Sequence, residues 1–257
     1  MRTLTLTGVG VGPGDPELLT LKAVRMLREA DVVFAPTTAL DKPSRAEAAV
    51  HAATGIRPRR LVFALDDTGG ATPARTAAWD EAGRTVLDAF RAGAGRIAFA
   101  TLGDPNVYST FTYLAETVVA LADPETTRVE VETVPGITAM QDLAARSGTV
   151  LTQGREPLAL IPATADPAAI TDALAGAATV VVYKGGRRLD ALAKAVASAG
   201  RTAHAVLGTD LGLPTERTGP LADLIERAAP QDPAVPAPYF TTLIAPPPRR
   251  PGRGGSL

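Results

Sequence analysis

The sequence of 257 residues contains no cysteine and only two histidines, and each scarcity excludes a class of chemistry. Without cysteine the chain has no disulfide, no thiolate metal ligand and no thiol nucleophile. His51 and His204 stand far apart in sequence with no partner spacing, so we expect no metal centre. Neither positive nor negative residues predominate, because the chain has 26 Lys and Arg residues and 27 Asp and Glu residues. This balance predicts no general affinity for nucleic acid.

Long apolar runs are absent as well. None approaches the roughly 18 residues needed to span a bilayer. The N-terminus enters a strand-like alternation directly, without the basic and apolar regions of a signal peptide. We therefore expect a cytoplasmic protein with no membrane partner. At about 100–200 residues per domain, the length allows one large or two small domains.

Short strand-like stretches alternate with longer helical ones over residues 1–122. The predicted strands lie at 3–7, 32–35, 60–64 and 96–101, with helices between them. This order predicts an α/β domain with a mostly parallel sheet. A turn at residues 123–125 then marks a boundary, and a second α/β domain with a mixed sheet is predicted over 123–245. The Pro-, Gly- and Arg-rich residues 246–257 are predicted to form a disordered tail.

Glycine-rich turns follow four of the predicted strands, at residues 8–14, 103–105, 135–136 and 185–186. The one after the fourth strand reads Gly103-Asp104-Pro105. Open α/β sheets bind ligands at the carboxyl ends of their strands, where such turns expose backbone. Each turn alone could be an ordinary tight turn, but four together could line one cleft.

Two common nucleotide sites are excluded by residue chemistry. The dinucleotide fingerprint needs Gly-x-Gly-x-x-Gly, whereas here Gly8 and Gly10 are followed by Pro13 at the third position. The second predicted strand also ends in Ala35-Pro36 instead of the acid that would bind a ribose. A phosphate loop needs Gly-Lys followed by Ser or Thr, and no such triplet occurs.

Four segments in order resemble the motifs of the tetrapyrrole (class III) methyltransferases. The first is residues 8–23, which open Gly-Val-Gly-Val-Gly-Pro-Gly-Asp-Pro, and the second is residues 102–110, Leu-Gly-Asp-Pro-Asn-Val-Tyr-Ser-Thr. The third and fourth are residues 134–139, Val-Pro-Gly-Ile-Thr-Ala, and 182–187, Val-Tyr-Lys-Gly-Gly-Arg. Together with residues 238–241, the resemblance covers residues 3 to about 245.

Within this family, three segments look most like the branch that methylates carbon 20 of precorrin-2, or of its cobalt form, in cobalamin synthesis. They are residues 108–111, 160–164 and 238–240. One departure lies at residues 63–70, where two acids and two glycines replace the usual Pro-Met-type segment. This difference leaves open a relative that methylates another tetrapyrrole or a specialised metabolite.

The resemblance implies two α/β domains of the tetrapyrrole methylase type, with S-adenosylmethionine in a cleft between them and a homodimeric assembly. It implies a small-molecule tetrapyrrole as substrate. Transferred motif by motif, the implied cofactor-binding residues are Pro13, Gly103, Asp104, Val107, Thr138, Ala139, Tyr183 and Lys184. The family tends to have an apolar residue at the position of Lys184.

Methyl transfer needs a carbon nucleophile in line with the sulfonium, so positioning supplies most of the catalysis. The ring nitrogens already make a meso carbon electron-rich, and a strong base is not required for attack. Asp104 and Tyr108 are the catalytic candidates, Asp104 for orienting the cofactor and Tyr108 for contacting the substrate. An Asp before Pro can equally serve only as a helix cap.

A site for precorrin-2 is expected to bind its carboxylates through the paired N–H groups of arginine guanidiniums. The candidates in or near loops are Arg45, Arg75, Arg146, Arg155 and Arg187.

A third hypothesis is a catalytically inactive binding protein that kept the fold. It predicts that Asp104→Ala changes nothing measurable.

Overall fold

The computed structural model describes residues 2–42, 44–63, 72–228 and 240–249. The chain divides into two compact units, Met1–Thr138 and Ala139–Leu257. Asp66, Asp67, Pro238 and Tyr239, which belong to segments used to assign the family branch, lie outside the described residues.

Unit 1 contains five strands and four α-helices among its described residues. The strands are β1 (Arg2–Gly10), β2 (Val32–Thr37), β3 (Arg59–Val62), β4 (Arg96–Thr101) and β5 (Thr127–Val134). The helices are α1 (Leu21–Glu29), α2 (Arg45–Thr54), α3 (Pro73–Arg91) and α4 (Phe111–Leu121).

The sheet of unit 1 has the order β3-β2-β4-β1-β5, and every neighbouring pair is parallel. Helices α3 and α4 cover one face, where Leu6, Phe99 and Leu114 are fully buried. Helices α1 and α2 cover the other, over a core that includes Val11 and Leu27. Because all five strands run the same way, their carboxyl ends, and the glycine loops that follow them, meet at one edge.

The first glycine loop leads into two short capped elements instead of one continuous helix. Asp15 accepts a hydrogen bond from Glu17 N (2.9 Å) and starts a 3-10 turn over Pro16–Leu18. Thr20 then accepts from Ala23 N (3.1 Å) and caps α1. The sequence pattern predicts a helix that begins at Pro16; the second cap at Thr20 delays its start to Leu21.

Strand β5 belongs to unit 1, and the units therefore divide after Thr138 and not at the predicted turn after Ala122. The physical reason is pairing: β5 lies parallel to β1 over its whole length, from Arg2 opposite Thr127 to Val9 opposite Val134. The Asp123 turn is a connection within unit 1. Its carboxylate accepts from Glu125 N (3.0 Å) and from the Thr126 hydroxyl (2.9 Å), which lowers the pKa of Asp123.

Unit 2 combines five strands and four α-helices among its described residues. The strands are β6 (Leu158–Pro162), β7 (Thr179–Tyr183), β8 (Val206–Thr209), β9 (Arg217–Pro220) and β10 (Thr241–Ala245). The helices are α5 (Ala139–Ser147), α6 (Pro167–Ala175), α7 (Leu189–Ser198) and α8 (Leu221–Ala228).

The sheet of unit 2 has the order β6-β7-β10-β8-β9 and is mixed, as the sequence predicts. Strand β6 is parallel to β7, whereas β10 is antiparallel to both of its neighbours. Three elements were not predicted: α6, α8 and β9. Helix α6 does carry a start signal, because Asp166 caps it ahead of Pro167.

A buried arginine joins three segments of unit 2. Arg201 is only 2% exposed. Its guanidinium donates to the carbonyls of Ala178 (2.7 Å) and Ala245 (3.0 Å), and to that of Gly176. Burial lowers the pKa of Arg201 below its ordinary value. The backbone carbonyls thus take the place of an acidic partner for this cation.

The first residues of the predicted tail are packed against unit 2. Pro246 is buried, and Arg249 pairs with Glu156 at 2.7 Å. The prediction of disorder from residue 246 is therefore wrong for residues 246–249, because an ion pair and backbone contacts hold them. Residues 250–257 lie outside the described part of the chain.

Candidate cofactor-binding site

Three glycine loops of unit 1 touch one another at the carboxyl edge of the sheet. Gly103 N donates to Gly12 O (2.8 Å), which bridges the loops after β4 and β1. A Cβ added to Gly10 would lie 2.6 Å from both Gly103 O and Gly136 N. A Cβ on Gly136 would in turn meet Gly103 O and the backbone of Gly10. Glycine is therefore required at these positions for the three loops to approach so closely.

Asp104 ties the second loop to the third. Its Oδ1 accepts from Asn106 N (2.8 Å), which closes a turn within its own loop. Its Oδ2 accepts from Gly136 N (3.1 Å) across the edge of the sheet. Because both oxygens receive backbone hydrogen bonds, the contacts of Asp104 are those of a positioning residue for the loops.

Tyr108 has a backbone conformation that non-glycine residues rarely adopt. Its φ is +49°, in the left-handed region, and its side chain is 46% exposed. Ser109 fixes the chain beside it, since its Oγ lies 2.9 Å from Thr101 Oγ1 and accepts from Phe111 N (3.0 Å). Such strain is typical of functional loops. Partial burial raises the pKa of Tyr108 further above its ordinary value, at which a phenol is already protonated at neutral pH.

The other predicted site residues of unit 1 lie in the same loops. Pro13 is buried in the first loop, and Val107 donates its N–H to Asp104 O (3.2 Å) in the second. Thr138 is 6% exposed at the end of the third loop. Its Cα lies 3.9 Å from the position that a Cβ of Gly103 would take. The structure therefore brings Pro13, Gly103, Asp104, Val107 and Thr138 together.

The predicted site residues of unit 2 also form a contact group. Met140 N, at the start of α5 beside Ala139, donates to the Tyr183 hydroxyl (3.0 Å). Lys184 follows Tyr183 at the end of β7 and has a φ of +63°. Gly185 N then donates to Thr241 O (3.2 Å), which holds this turn against the start of β10.

The chain is similar to known proteins over most of its length. Residues 5–225 match the family of Tetrapyrrole (Corrin/Porphyrin) Methylases. The chain belongs to the tetrapyrrole methylase family. It is 32% identical over 253 residues to a precorrin-2 C(20)-methyltransferase from a Sinorhizobium species, with 94% of each chain covered.

Two further relatives place this tetrapyrrole methylase in context. A cobalt-precorrin-2 C(20)-methyltransferase from Salmonella typhimurium is 29% identical over 93% of this chain and 94% of its own. A crystal structure of uroporphyrin-III C-methyltransferase from Thermus thermophilus, complexed with S-adenosylhomocysteine, has a TM-score of 0.60 at 24% identity. That similarity covers 94% of this chain and 97% of the other, and it shows the shared fold.

Asp210 of this methylase has a left-handed backbone conformation that no sequence motif indicated. It follows β8 with a φ of +53°, and its N–H donates to Phe240 O (3.1 Å). Strands β7 and β8 are both antiparallel to β10, so Asp210 and Lys184 lie at the same edge of the sheet. The pattern predicts that this strand ends at Leu207, whereas it continues to Thr209 and delivers Asp210 to the edge.

An ionic network anchors α5, the helix that follows the third loop. Arg146 Nε donates to Asp142 Oδ1 (2.8 Å), and its Nη1 donates to Glu216 Oε1 (3.0 Å). Glu216 Oε2 accepts from Gly212 N (2.8 Å), in the loop after β8. Arg146 was a predicted carboxylate-binding residue; its guanidinium instead links α5 to that loop.

The other arginines predicted to bind carboxylates of the substrate differ in their surroundings. Arg45 and Arg75 have interactions within the chain, and the side chain of Arg187 is not described. Arg155 is exposed in the loop between α5 and β6, and no residue that the structure describes forms a hydrogen bond or ion pair with its guanidinium. Among these predicted arginines whose side chains are described, Arg155 is the one with a guanidinium available to bind a carboxylate.

Metal-binding clusters and membrane-spanning helices are absent from the described ranges. No group of three or more His, Asp or Glu side chains there could hold a metal ion. No helix in those ranges has the length and apolar character needed to cross a membrane. A cavity of about 410 Å³ in unit 1 is lined by residues such as Leu87, Phe90 and Thr126. It includes none of the predicted site residues.

Proposed function

We propose that this methylase transfers the methyl group of S-adenosylmethionine to carbon 20 of precorrin-2 or its cobalt form. The observation that carries the proposal is the contact of three glycine loops through Gly10, Gly103 and Gly136, together with Asp104, which hydrogen-bonds the second and third loops to each other. Two relatives named for this reaction, covered almost end to end, support the choice of acceptor.

The loops have the chemistry that S-adenosylmethionine requires. Glycines without a Cβ leave backbone N–H and C=O groups accessible to its amino acid portion. The proposed contacts are Pro13, Gly103, Asp104, Val107, Thr138, Ala139, Tyr183 and Lys184. When bound, the cofactor supplies an electrophilic methyl group on a positively charged sulfur.

Asp104 and Tyr108 would act by positioning and by contact with the acceptor. Asp104 holds the loops through two backbone N–H groups, so its part in catalysis is to fix the geometry of the cofactor site. Burial raises the pKa of Tyr108 further above an ordinary value that already keeps a phenol protonated at neutral pH. The phenol can therefore donate a hydrogen bond to the acceptor, and it is unsuited to remove a proton.

Two measurements test the proposal. Calorimetric titration with S-adenosylhomocysteine is expected to give one binding site per chain; no heat of binding would contradict it. Anaerobic incubation with precorrin-2 and S-adenosylmethionine is then expected to give a product heavier by one methyl group. Cofactor binding without a methylated product would favour another acceptor, the alternative that the acidic residues 66–67 suggest.

The homodimeric state and the cytoplasmic location belong to the same proposal. Light scattering coupled to gel filtration tests the first: twice the chain mass of 26.4 kDa is expected, and a single-chain mass would contradict it. Fractionation of the source cells tests the second.

A further inference from the structure

The chain that follows β2, residues 38–42, is tied back to the end of its strand. The Thr37 hydroxyl, buried at the end of β2, lies within hydrogen-bonding distance of the carbonyls of Ala39 (2.9 Å) and Lys42 (2.7 Å). Lys42 N donates to Ala39 O (3.0 Å). These bonds place the backbone of Lys42 beside the last residue of β2. We call residues 38–42 the β2 loop.

An arginine of the neighbouring strand β3 also holds the β2 loop. Arg60 Nη1 donates to Leu40 O (2.6 Å). Its Nε and Nη2 donate to the two carboxylate oxygens of Glu47 in α2 (2.7 and 3.0 Å), and this paired geometry fixes the guanidinium. The Asp41 carboxylate also interacts electrostatically with Arg60. The β2 loop is therefore held by contacts with both β2 and β3.

The β2 loop and the second glycine loop leave the sheet of unit 1 side by side. Strands β2 and β4 are parallel neighbours, paired in register up to Phe34 opposite Phe99. Strand β2 ends three residues later, at Thr37, and β4 ends two residues after Phe99, at Thr101. The two loops therefore begin at the same edge and at nearly the same level. Because Lys42 lies beside Thr37, it shares this edge with the second glycine loop.

The strand order places the β2 loop next to the cofactor loops without making it one of them. The three glycine loops that touch follow β4, β1 and β5, whereas β2 lies on the other side of β4. Tyr108, which we propose to contact the acceptor, belongs to the loop after β4. Helix α2, which follows the β2 loop, packs against the 3-10 turn Pro16–Leu18 behind the first glycine loop. A ligand beside the cofactor on this side would meet the β2 loop.

From this position we infer that Lys42 binds a peripheral carboxylate of the acceptor and that the Thr37 hydroxyl positions it. The inference rests on the proposed function, since precorrin-2 carries acetate and propionate groups around its ring. The Lys42 side chain is exposed, and no described residue forms a hydrogen bond or ion pair with its ammonium group. An ammonium group offers a carboxylate a compact charge and three donors. Because the backbone is already fixed, less entropy is lost on binding.

The role of Lys42 is tested by steady-state kinetics with precorrin-2. Lys42→Ala is expected to raise KM for precorrin-2 about tenfold with kcat nearly unchanged, because a bond common to the ground and transition states is lost. Lys42→Arg keeps the charge and should recover most of the loss. Arg28→Ala is the control and should leave both constants unchanged. Arg28 is exposed near the end of α1, just before β2 begins, and thus lies at the opposite edge of the same sheet.

The positioning role of Thr37 is tested by Thr37→Val, which keeps the shape of the side chain and removes the hydroxyl. We expect faster hydrogen exchange in residues 38–42 and a KM for precorrin-2 raised in the same direction as in Lys42→Ala, but less. Thr37→Ser keeps the hydroxyl and should match the wild type in both measurements. Circular dichroism establishes that each variant is folded. Unchanged exchange and KM in a folded Thr37→Val variant would overturn the positioning role.

Failure of this inference differs from failure of the proposed function. A wild-type protein that binds S-adenosylhomocysteine but does not methylate precorrin-2 would contradict the function and, with it, the role of Lys42. A wild-type protein that methylates precorrin-2, beside a Lys42→Ala variant of unchanged KM, would overturn the role of Lys42 alone. Binding of S-adenosylhomocysteine by Lys42→Ala should equal that of the wild type. Weaker binding would show that Lys42 serves the cofactor and would also overturn the inference.

Discussion

At the scale of single residues, a few polar side chains hold backbone segments that would otherwise be free to separate. Asp104 bonds two N–H groups from different loops. Arg201 bonds three carbonyls inside unit 2. Neither contact follows from residue type, because an Asp beside a Pro also suits an isolated turn and an Arg is usually exposed. The sequence singled out Asp104 by motif but gave no sign of Arg201.

Substitution of Asp104 tests whether this residue positions the loops for cofactor binding. Asp104→Ala removes both acceptors, so we expect a lower melting temperature and at least tenfold weaker binding of S-adenosylhomocysteine, since bonds to charged groups contribute about 1.5–3 kcal/mol. Asp104→Asn keeps an acceptor oxygen and should lose less. Calorimetry and thermal denaturation measure both effects. An Ala variant identical to the wild type would favour the inactive-scaffold reading.

Thr179 offers a test of an unused hydrogen-bonding group. Its side chain is fully buried in β7, and its hydroxyl finds no hydrogen-bond partner in the described residues. Thr179→Val keeps the shape and removes the buried polar atom, so we expect a gain of about 1 kcal/mol in the free energy of unfolding. Thr101→Val is the matched control, because Thr101 is also buried in a strand but its hydroxyl contacts Ser109 Oγ. Chemical denaturation should show stabilisation in the first variant and loss in the second.

At the scale of elements, the parallel sheet of unit 1 explains why distant motifs meet. The alternation of strands and helices predicted this sheet, and residues 96–101 form β4 as predicted. The position of β5 was not predictable from the turn at Asp123, because membership of a sheet depends on long-range pairing with β1. The strained φ angles of Tyr108, Lys184 and Asp210 were not predictable either, since surrounding contacts impose them.

The contact between the glycine loops makes a prediction about the third loop. Gly136→Ala would push a Cβ into Gly103 O and the backbone of Gly10, so we expect a loss of about 1–3 kcal/mol in stability and weaker binding of S-adenosylhomocysteine. Gly219→Ala is the control, because its added Cβ would meet only Leu224, at an ordinary 3.9 Å. If both variants bind S-adenosylhomocysteine like the wild type, the close approach has no role in the site.

The link between α2 and β3 predicts a pH dependence. Glu47 pairs with Arg60 (2.7 Å) and accepts from Ser44 N (3.4 Å), and the bond to Arg60 is the main reason why its pKa is lowered. Because the folded state lowers this pKa, ionised Glu47 stabilises the fold at pH values above the ordinary pKa of glutamate, about 4.3. This stabilisation is lost as the pH falls through the lower pKa of the folded state. Glu47→Gln should therefore melt lower than the wild type at pH 7, with the difference shrinking below about pH 4.

The control for that comparison is an exposed carboxylate. Glu81 pairs with Arg84 at 3.3 Å, but its side chain is 74% exposed. We expect Glu81→Gln to change the melting temperature little at any pH, because exposed pairs contribute little. A difference between Glu47→Gln and wild type that is constant from pH 7 to pH 3 would show that the stabilisation does not come from ionised Glu47.

At the scale of the whole molecule, the family was readable from the order of its motifs, and most strands and helices from their periodicity. The packing of residues 246–249 was not, because composition describes a tail and not the ion pair that Arg249 makes with a distant glutamate. The packing of this segment therefore depends on contacts between residues far apart in sequence.

The most direct test of the central claim is the position of the transferred methyl group. The purified protein is incubated anaerobically with precorrin-2 and S-adenosylmethionine carrying a ¹³C-labelled methyl, and the product is examined by mass spectrometry and ¹³C NMR. We predict a single labelled methyl on carbon 20 of the ring. A label at any other carbon, or an unchanged tetrapyrrole in the presence of bound cofactor, would contradict the account.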